Sequence, residues 1–340
     1  MPLQDVRGHR RLLELLAGAV GRNALPPSLL FDGPEGVGKR TTAVAVAQAL
    51  NCTQPIPFPG AREESRAGCG RCPACRRIAR GAHPDVVVVS PEASGSIKTE
   101  TIRDEVLQPS AYRPFEGRWR VFIVDEADAL VPNAQDALLK TLEEPPPGSI
   151  FILVTSIADA LLPTVRSRCY RLRFGRVSEA EIARVLREHH RFSAADARAA
   201  SVMADGSIGR ALAAQEGELA AAREVAAALL RSVAPGRLPQ RLEGAKAFVA
   251  GTRAAAADRA TLADRLRAVS SMLRDLGILA SRAEHGLLAN ADIQEQLDAL
   301  LPAFAADRVL RAFSSVDRAL SALERNASPK IVADWVALEI

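Results

Sequence analysis

The sequence has few aromatic residues and no long apolar run. Phenylalanine, tyrosine and tryptophan together make up 4% of the 340 residues. That scarcity, with abundant alanine, leucine and valine, favours helices and parallel sheet over a β-sandwich. No apolar stretch approaches the roughly 18 residues that a membrane-spanning helix needs. The N-terminal MPLQDVRGHRRLLELL carries charges where a signal peptide has its apolar core. We therefore expect a cytoplasmic protein that does not enter a membrane.

Neither sign of charge dominates the chain. It has 44 Lys and Arg against 40 Asp and Glu, a net charge of +4 and a pI near 9.0. This mildly basic balance is compatible with nucleic-acid contact but is weak evidence for it. A hydrophobic fraction of 48% is ordinary for a globular protein. The length is too great for one compact core and predicts two or three domains.

Short apolar runs alternate with helical patterns in the first half of the chain, which predicts a parallel sheet with crossover helices. Each run is apolar throughout, as in strands that are buried on both faces. They lie at residues 28–31, 86–89, 121–124 and 150–154. From about Val177 only helical patterns remain, beginning with a capping box at Ser178 and Glu181. We expect an α/β domain, a small helical domain and a larger helical domain, over residues 1–176, 177–233 and 234–340.

The stretch GPEGVGKRTT follows the first predicted strand and has the pattern of a phosphate-binding loop up to its eighth residue. Gly33, Gly36, Gly38 and Lys39 are typical of a loop whose backbone N–H groups and lysine face phosphates. A glycine turn that merely caps a helix is the alternative. Arg40 stands where the pattern has the hydroxyl that binds Mg²⁺, and arginine cannot ligate a cation. We therefore expect phosphate binding to survive better than metal-assisted hydrolysis, and the Mg²⁺ site is doubtful.

Two acidic residues end the strand predicted at residues 121–124. Asp125 and Glu126 would lie at the carboxyl edge of the sheet, where ligands of open α/β sheets bind. In a working ATPase the first would help to hold Mg²⁺, and the second would orient or polarise the attacking water. Thr155 ends the next strand and is a candidate sensor of a γ-phosphate, with an ordinary surface threonine as the alternative.

Four of the five cysteines form a cluster with the spacing C-x16-C-x2-C-x2-C, at Cys52, Cys69, Cys72 and Cys75. Four thiolates suit tetrahedral Zn²⁺, and the close pairs let one turn supply neighbouring ligands. An iron–sulfur cluster and a redox pair are the alternatives. With all four positions filled by protein, a zinc ion here would be structural.

The order of these motifs resembles one family, the clamp-loader AAA+ subunits of bacterial DNA polymerase III, and within it the delta-prime subunits. The matching pieces are GPEGVGK, CGRCPAC, HPDVVVVSPE, SIKTETIR, VFIVDEADAL, NAQDALLKTLEEPP, LLPTVRSRC and the C-terminal ALERNASPKIVADWVAL. The resemblance is dense over residues 5–215 and thin beyond them. It implies a RecA-like AAA+ domain with an inserted zinc module at about residues 52–75, then a helical lid domain and a helical collar domain that oligomerises.

The resemblance also implies a function in DNA replication. Clamp loaders are five-subunit assemblies that use ATP to open a sliding clamp and place it on primer–template DNA. The implied partners are the gamma/tau and delta subunits, the clamp, and DNA reached through the assembly. The chain would belong to a DNA-directed DNA polymerase holoenzyme, a nucleotidyltransferase, with weak or no ATPase activity of its own. Binding of ATP or ADP is left open.

Delta-prime subunits are the rigid stators of these assemblies, and the arginine of their SRC motif reaches ATP on a neighbouring subunit. The resemblance implies that Arg168 is an arginine finger that acts in trans, and that Glu126 contributes little or nothing to ATP hydrolysis. Gly209 stands where ATP-hydrolysing relatives have a sensor arginine, with Arg210 one residue on. A gamma/tau motor subunit is the nearest alternative, and a stand-alone P-loop helicase or a zinc-binding adaptor are more distant ones.

Overall fold

The computed structural model describes residues 1–92, 94–213, 216–249, 255–281, 288–324 and 327–340. They form two compact units, Met1–Ser178 and Glu179–Ile340. Within those ranges, no helix combines the length and the apolar character that crossing a bilayer requires.

The first unit is built on a five-stranded parallel sheet. In chain order its strands are β1 (Ser28–Asp32), β4 (Val86–Val89), β5 (Arg120–Val124), β6 (Ser149–Thr155) and β7 (Tyr170–Arg173), and their spatial order is β4-β5-β6-β1-β7. A separate antiparallel pair, β2 (Ile56–Pro57) and β3 (Arg66–Ala67), lies in the cysteine-bearing insertion. Since all pairings within the large sheet are parallel, the carboxyl ends of its strands share one edge.

Helices cover both faces of this sheet. They are α1 (Arg10–Gly21), α2 (Lys39–Asn51), α3 (Pro73–Ala79), α4 (Thr99–Ile102), α5 (Gln108–Ser110), α6 (Pro132–Glu143) and α7 (Pro163–Arg166), with a π-helical turn, Arg103–Leu107, between α4 and α5. Short 3₁₀ helices lie at Leu3–Asp5, Ala127–Ala129 and Ala158–Ala160.

Alternate residues of the strands pack in two separate hydrophobic cores, because successive side chains of a strand point to opposite faces of the sheet. Phe31 and Ile123 pack with α1 and α2 on one face. Phe122 and Phe151 stack at 5.2 Å on the other face, with α6. These strands are therefore apolar throughout because both of their faces are covered. The predicted AAA+-type α/β fold, followed by a helical region, is confirmed.

The second unit is helical over its described residues. Its helices are α8 (Glu179–His190), α9 (Ala194–Met203), α10 (Ile208–Ala213), α11 (Glu216–Val233), α12 (Leu238–Val249), α13 (Ala255–Ala280), α14 (Gln294–Leu300), α15 (Ala306–Glu324) and α16 (Pro329–Glu339). The first three pack on one another, and α11 packs on α12 and α13. The predicted lid–collar boundary after residue 233 falls between two helices that pack together, so that division stays a prediction.

Candidate nucleotide site and metal centre

The loop between β1 and α2 has the backbone of a phosphate loop. Gly33, Gly36 and Gly38 all have positive φ angles, of 151°, 71° and 101°, a region that side-chain-bearing residues rarely adopt. A Cβ added to Gly33 would lie 2.0 Å from the carbonyl oxygen of Phe174, so packing against the end of β7 also requires glycine there. A Cβ on Gly38 would meet no described heavy atom within 4 Å. The loop therefore leaves open space in front of the first turn of α2.

Lys39 is folded back onto this loop. Its side chain is buried, and Nζ donates to the carbonyl oxygens of Gly33 and Pro34, at 2.6 Å in each case. Burial lowers the pKa of Lys39, and Asp128 leads the nearby carboxylates that oppose this shift. An incoming phosphate would compete with two neutral carbonyl acceptors for the ammonium group, and hydrogen bonds between charged partners are the stronger kind.

Arg40 pairs with the carboxylate that was expected to hold a metal. Its Nε lies 3.4 Å from Oδ2 of Asp125, whose side chain is only 11% exposed. Burial raises the pKa of Asp125, and the Arg40 guanidinium is the leading influence that lowers it. The departure from the phosphate-loop pattern thus places a protein cation beside Asp125.

Glu126 adopts a strained backbone at the carboxyl end of β5. Its φ and ψ are both 50°, the left-handed region, which costs a side-chain-bearing residue about 1–2 kcal/mol. Burial, together with Asp125, Asp128 and Glu35, raises the pKa of Glu126. The structure therefore brings Lys39, Asp125 and Glu126 to one edge of the sheet, as the sequence predicted.

Thr155 lies at the same edge, but it is fully buried and bound to another acidic residue. Its Oγ1 donates to Oδ1 of Asp128 at 2.7 Å and accepts from the N–H of Ile157 at 3.1 Å. The sequence reasoning did not single out Asp128, although its place in DEAD, three residues after Asp125, was a usable signal. A phosphate that approached Thr155 would meet this hydrogen-bonded pair.

His9 is a second contributor that sequence reasoning missed. Its Nε2 lies 3.1 Å from the carbonyl oxygen of Val37 in the loop, and its ring meets that of Phe174 edge-on at 5.0 Å. Burial lowers the pKa of His9, against the opposing effect of the hydrogen bond to Val37. No pattern in the sequence links residue 9 to the loop, because the contact depends on tertiary packing.

Arg168 lies at the other edge of the sheet. Tyr170, two residues later, pairs with Leu29 near the amino end of β1, whereas the glycine loop follows the carboxyl end of that strand. At about 3.3 Å per residue, Leu29 and Gly33 are roughly 13 Å apart along the strand. Nε and Nη2 of Arg168 donate to Oε2 of Glu143, at 3.0 and 2.8 Å, and Nη1 donates to the carbonyl oxygen of Thr164. Arg168 is therefore not part of the site formed by its own loop.

The four clustered cysteines converge on one point. Their sulfur atoms all lie within 4.8 Å of one another, and among the described residues the group has no histidine or carboxylate member. Sγ of Cys52 and Sγ of Cys72 are 3.8 Å apart, which matches the edge of a tetrahedron with metal–sulfur bonds of about 2.3 Å. The backbone N–H groups of Cys69, Cys72 and Cys75 donate to cysteine sulfurs at 3.3–3.4 Å. This arrangement fits a four-thiolate metal site.

His83 lies outside that cluster, in a buried network beside β4 and β5. Its Nδ1 accepts the N–H of Asp85 at 3.1 Å, and its Nε2 lies 3.4 Å from Glu116. Asp85 in turn accepts the N–H groups of Phe115, Glu116 and Gly117 at 2.6–2.9 Å. Burial lowers the pKa of His83, although Glu116 and Asp85 oppose that shift. The histidine is thus a structural residue of the loop before β4, in a network that also holds the loop before β5.

Comparison with known proteins points to one family. Residues 8–178, half of the chain, match the family described as DNA polymerase III, delta subunit. The tau subunit of DNA polymerase III from Salmonella typhimurium is 34% identical over 215 residues, 61% of this chain and 32% of that protein. The Escherichia coli tau subunit is 36% identical over 165 residues, 48% of this chain and 24% of that protein. The chain thus spans about a quarter to a third of the length of these relatives.

Among solved structures, a DNA polymerase III gamma subunit-related protein from Thermotoga maritima aligns over 95% of this chain and 98% of that chain, with 14% identity and a TM-score of 0.41. The family match covers the whole described site, from the glycine loop to Arg168. The chain therefore belongs to the DNA polymerase III delta subunit family, within the clamp-loader AAA+ proteins.

Proposed function

We propose that this chain is the delta-prime subunit of a DNA polymerase III clamp loader, the stator of an assembly that opens the sliding clamp and loads it on primer–template DNA. In this proposal its own nucleotide site is degenerate, and Arg168 is supplied to ATP bound by a neighbouring subunit. The observation that carries the proposal is the pairing of Arg40 with Asp125. It places a guanidinium where an ATPase of this fold needs a metal ion.

The position of Arg168 supports a role in trans. It lies at the opposite edge of the sheet from its own loop, and its side chain is 31% exposed in its pair with Glu143. A guanidinium at the γ-phosphate stabilises the charge that develops during phosphoryl transfer, and it can come from another protein chain. Glu143 holds the guanidinium until ATP on the neighbour competes for it.

The remaining residues have roles that follow from this assignment. Gly33, Gly36, Gly38 and Lys39 form the cradle for a nucleotide, with Asp125 and Thr155 beside it and Glu126 as an idle counterpart of a catalytic glutamate. Cys52, Cys69, Cys72 and Cys75 hold a structural Zn²⁺, whose ligand set is complete without substrate. The proposed domains are the AAA+ domain at 1–176, a lid at 177–233 and a collar at 234–340 that joins the gamma/tau and delta subunits.

The second candidate is a gamma/tau-type motor subunit of the same assembly. The identity of 34–36% to tau subunits favours it, as do Lys39, Asp125 and Glu126, which a motor also needs. The two candidates differ in what the isolated chain does with ATP. A motor hydrolyses ATP, whereas a stator with Arg40 beside Asp125 has little or no turnover.

The test is ATP hydrolysis by the purified full chain, alone and after mixing with gamma/tau and delta subunits. We expect no turnover above background from the chain alone, stable co-purification with both partners, and ATPase activity that appears on assembly. Robust hydrolysis by the isolated chain would reject the stator assignment in favour of the motor.

A further inference from the structure

Magnesium is the metal that phosphate-loop proteins place between a loop hydroxyl and the β- and γ-phosphates. The residues of this chain do not fit that ion. Arg40 replaces the hydroxyl, and its Nε lies 3.4 Å from Asp125, the carboxylate on the metal side of the site. A divalent cation at this place would have to displace a guanidinium or share a carboxylate with it, and like charges at such distances repel.

Neighbouring hydroxyl groups do not replace the metal-binding hydroxyl that is missing at Arg40. Thr42 is fully buried, and its Oγ1 donates to the carbonyl oxygen of Gly38 at 2.8 Å. Thr41 follows Arg40 by one residue, a rotation of about 100° around α2, so its side chain leaves the helix in another direction. Neither threonine takes the place of the missing metal ligand.

The anion-binding half of the site is nevertheless intact. The loop keeps its three positive-φ glycines, and α2, a helix of 13 residues, begins at Lys39. The positive end of a helix dipole and free backbone N–H groups favour phosphate. The buried Lys39 ammonium donates to the carbonyl oxygens of Gly33 and Pro34, neutral acceptors that a phosphate can replace.

We propose that Arg40 is the resident cation of this site, so that the loop binds the phosphates of an adenine nucleotide without Mg²⁺, and added Mg²⁺ does not tighten binding. Arg40 offsets the charge of Asp125, which otherwise repels the nucleotide. The acidic groups of Glu126 and Asp128 remain nearby, so the affinity is modest. A single positive charge offsets less of the charge that develops in phosphoryl transfer than a divalent metal does, so we expect little or no hydrolysis of the bound nucleotide. The inference rests on the degenerate site in the proposed function but not on Arg168.

The test is calorimetric titration of the full chain with ADP, in excess Mg²⁺ and in EDTA. For the unmodified chain we expect ADP to bind no more tightly with Mg²⁺ than with EDTA, because Mg²⁺ complexes free ADP and takes no part in the site. Arg40→Thr restores the hydroxyl and frees Asp125. We expect it to bind ADP at least about tenfold more tightly with Mg²⁺ than with EDTA.

Two further measurements guard against a folding artefact. Far-UV circular dichroism and thermal unfolding establish that Arg40→Thr is folded. Electron paramagnetic resonance with Mn²⁺ as a probe should show ADP-dependent metal binding by Arg40→Thr and none by the unmodified chain. In the double variant Arg40→Thr/Asp125→Asn, the effect of Mg²⁺ on ADP binding should disappear again.

Two results would overturn the inference. One is ADP binding by the unmodified chain that is more than about threefold tighter with Mg²⁺ than with EDTA, and the other is no measurable ADP binding by the unmodified chain in either buffer. Both are distinct from failure of the proposed function, which is read from ATP turnover and assembly with partner subunits. A chain that binds no ADP can still serve as a stator.

Discussion

Replacing Gly33 with alanine would drive a methyl carbon into the end of β7. The added Cβ would lie 2.0 Å from the carbonyl oxygen of Phe174, 2.9 Å from its carbonyl carbon and 3.0 Å from its Cβ. The obstructing atoms are backbone, and the N–H of Phe174 is tied to the carbonyl oxygen of Asp32 at 2.7 Å. Relief therefore requires β7 to move away from β1. We expect the free energy of unfolding to fall by about 3 kcal/mol or more, as for severe overpacking.

Substitutions at two other glycines distinguish the effect of this clash on stability from the effect of a positive φ angle. Gly38→Ala keeps the unfavourable φ of 101° but meets no described atom within 4 Å, so it should cost only about 1–2 kcal/mol. Gly175→Ala has neither a positive φ nor a described neighbour within 4 Å, and its effect should lie within about 0.5 kcal/mol of zero.

The assay is urea-induced unfolding of the nucleotide-free full chain, followed by far-UV circular dichroism and tryptophan fluorescence. Trp119 lies beside β5 and reports on the first unit, whereas Trp335 reports on the second unit, so each variant is made in a Trp335→Phe background. From the highest to the lowest urea concentration at the unfolding midpoint, the expected order is Gly175→Ala, then Gly38→Ala, then Gly33→Ala. If Gly33→Ala unfolded at the same urea concentration as Gly175→Ala, the reasoning from the Phe174 contact would be refuted. The expected order would show that the fold itself requires Gly33, whether or not a nucleotide binds.

Two other predictions concern the metal centre and the buried histidine. Cys72→Ser should reduce the zinc content of the purified protein, measured by mass spectrometry, from about one ion per chain to almost none, and should lower the free energy of unfolding by at least about 2 kcal/mol. The control Cys169→Ala should keep the metal. Equal zinc content in both variants would contradict the site. Burial lowers the pKa of His83 below its ordinary 6.5, so the unfolded chain binds a proton that the folded chain does not. Its stabilisation is therefore complete above pH 6.5 and is lost as pH falls. His83→Asn should make stability between pH 7 and 5.5 less dependent on pH, by up to about 1.4 kcal/mol per pH unit; an unchanged slope would contradict this assignment.

Much of the first unit could be predicted from local patterns. Apolar runs such as residues 121–124 predicted strands that are covered on both faces, and these are the buried strands of the sheet. Because parallel strands end at a common edge, the positions of Lys39, Asp125 and Thr155 in the sequence were enough to place them together. The spacing of the cysteines likewise predicted their convergence, since close C-x-x-C pairs bring ligands onto one turn.

Other features depend on contacts that a sequence does not display. The substitution at Arg40 predicted a lost metal ligand, but its pairing with Asp125 depends on how β5 and α2 approach each other. The pair between Arg168 and Glu143 joins residues 25 positions apart, and the contact of His9 with Val37 spans 28. These contacts are set by tertiary packing, and they give the local motifs their electrostatic surroundings.

The most direct test of the central claim is ATP hydrolysis by a reconstituted clamp-loader complex that carries Arg168→Ala in this chain. The matched control is Arg166→Ala, which removes a nearby arginine of similar exposure, paired with Asp159. An arginine finger contributes about 10³–10⁵-fold to turnover at the site that it serves. We therefore predict at least a roughly tenfold loss of clamp-stimulated ATPase activity for Arg168→Ala, with assembly intact, and little change for Arg166→Ala. Normal ATPase activity in an assembled Arg168→Ala complex would contradict the account.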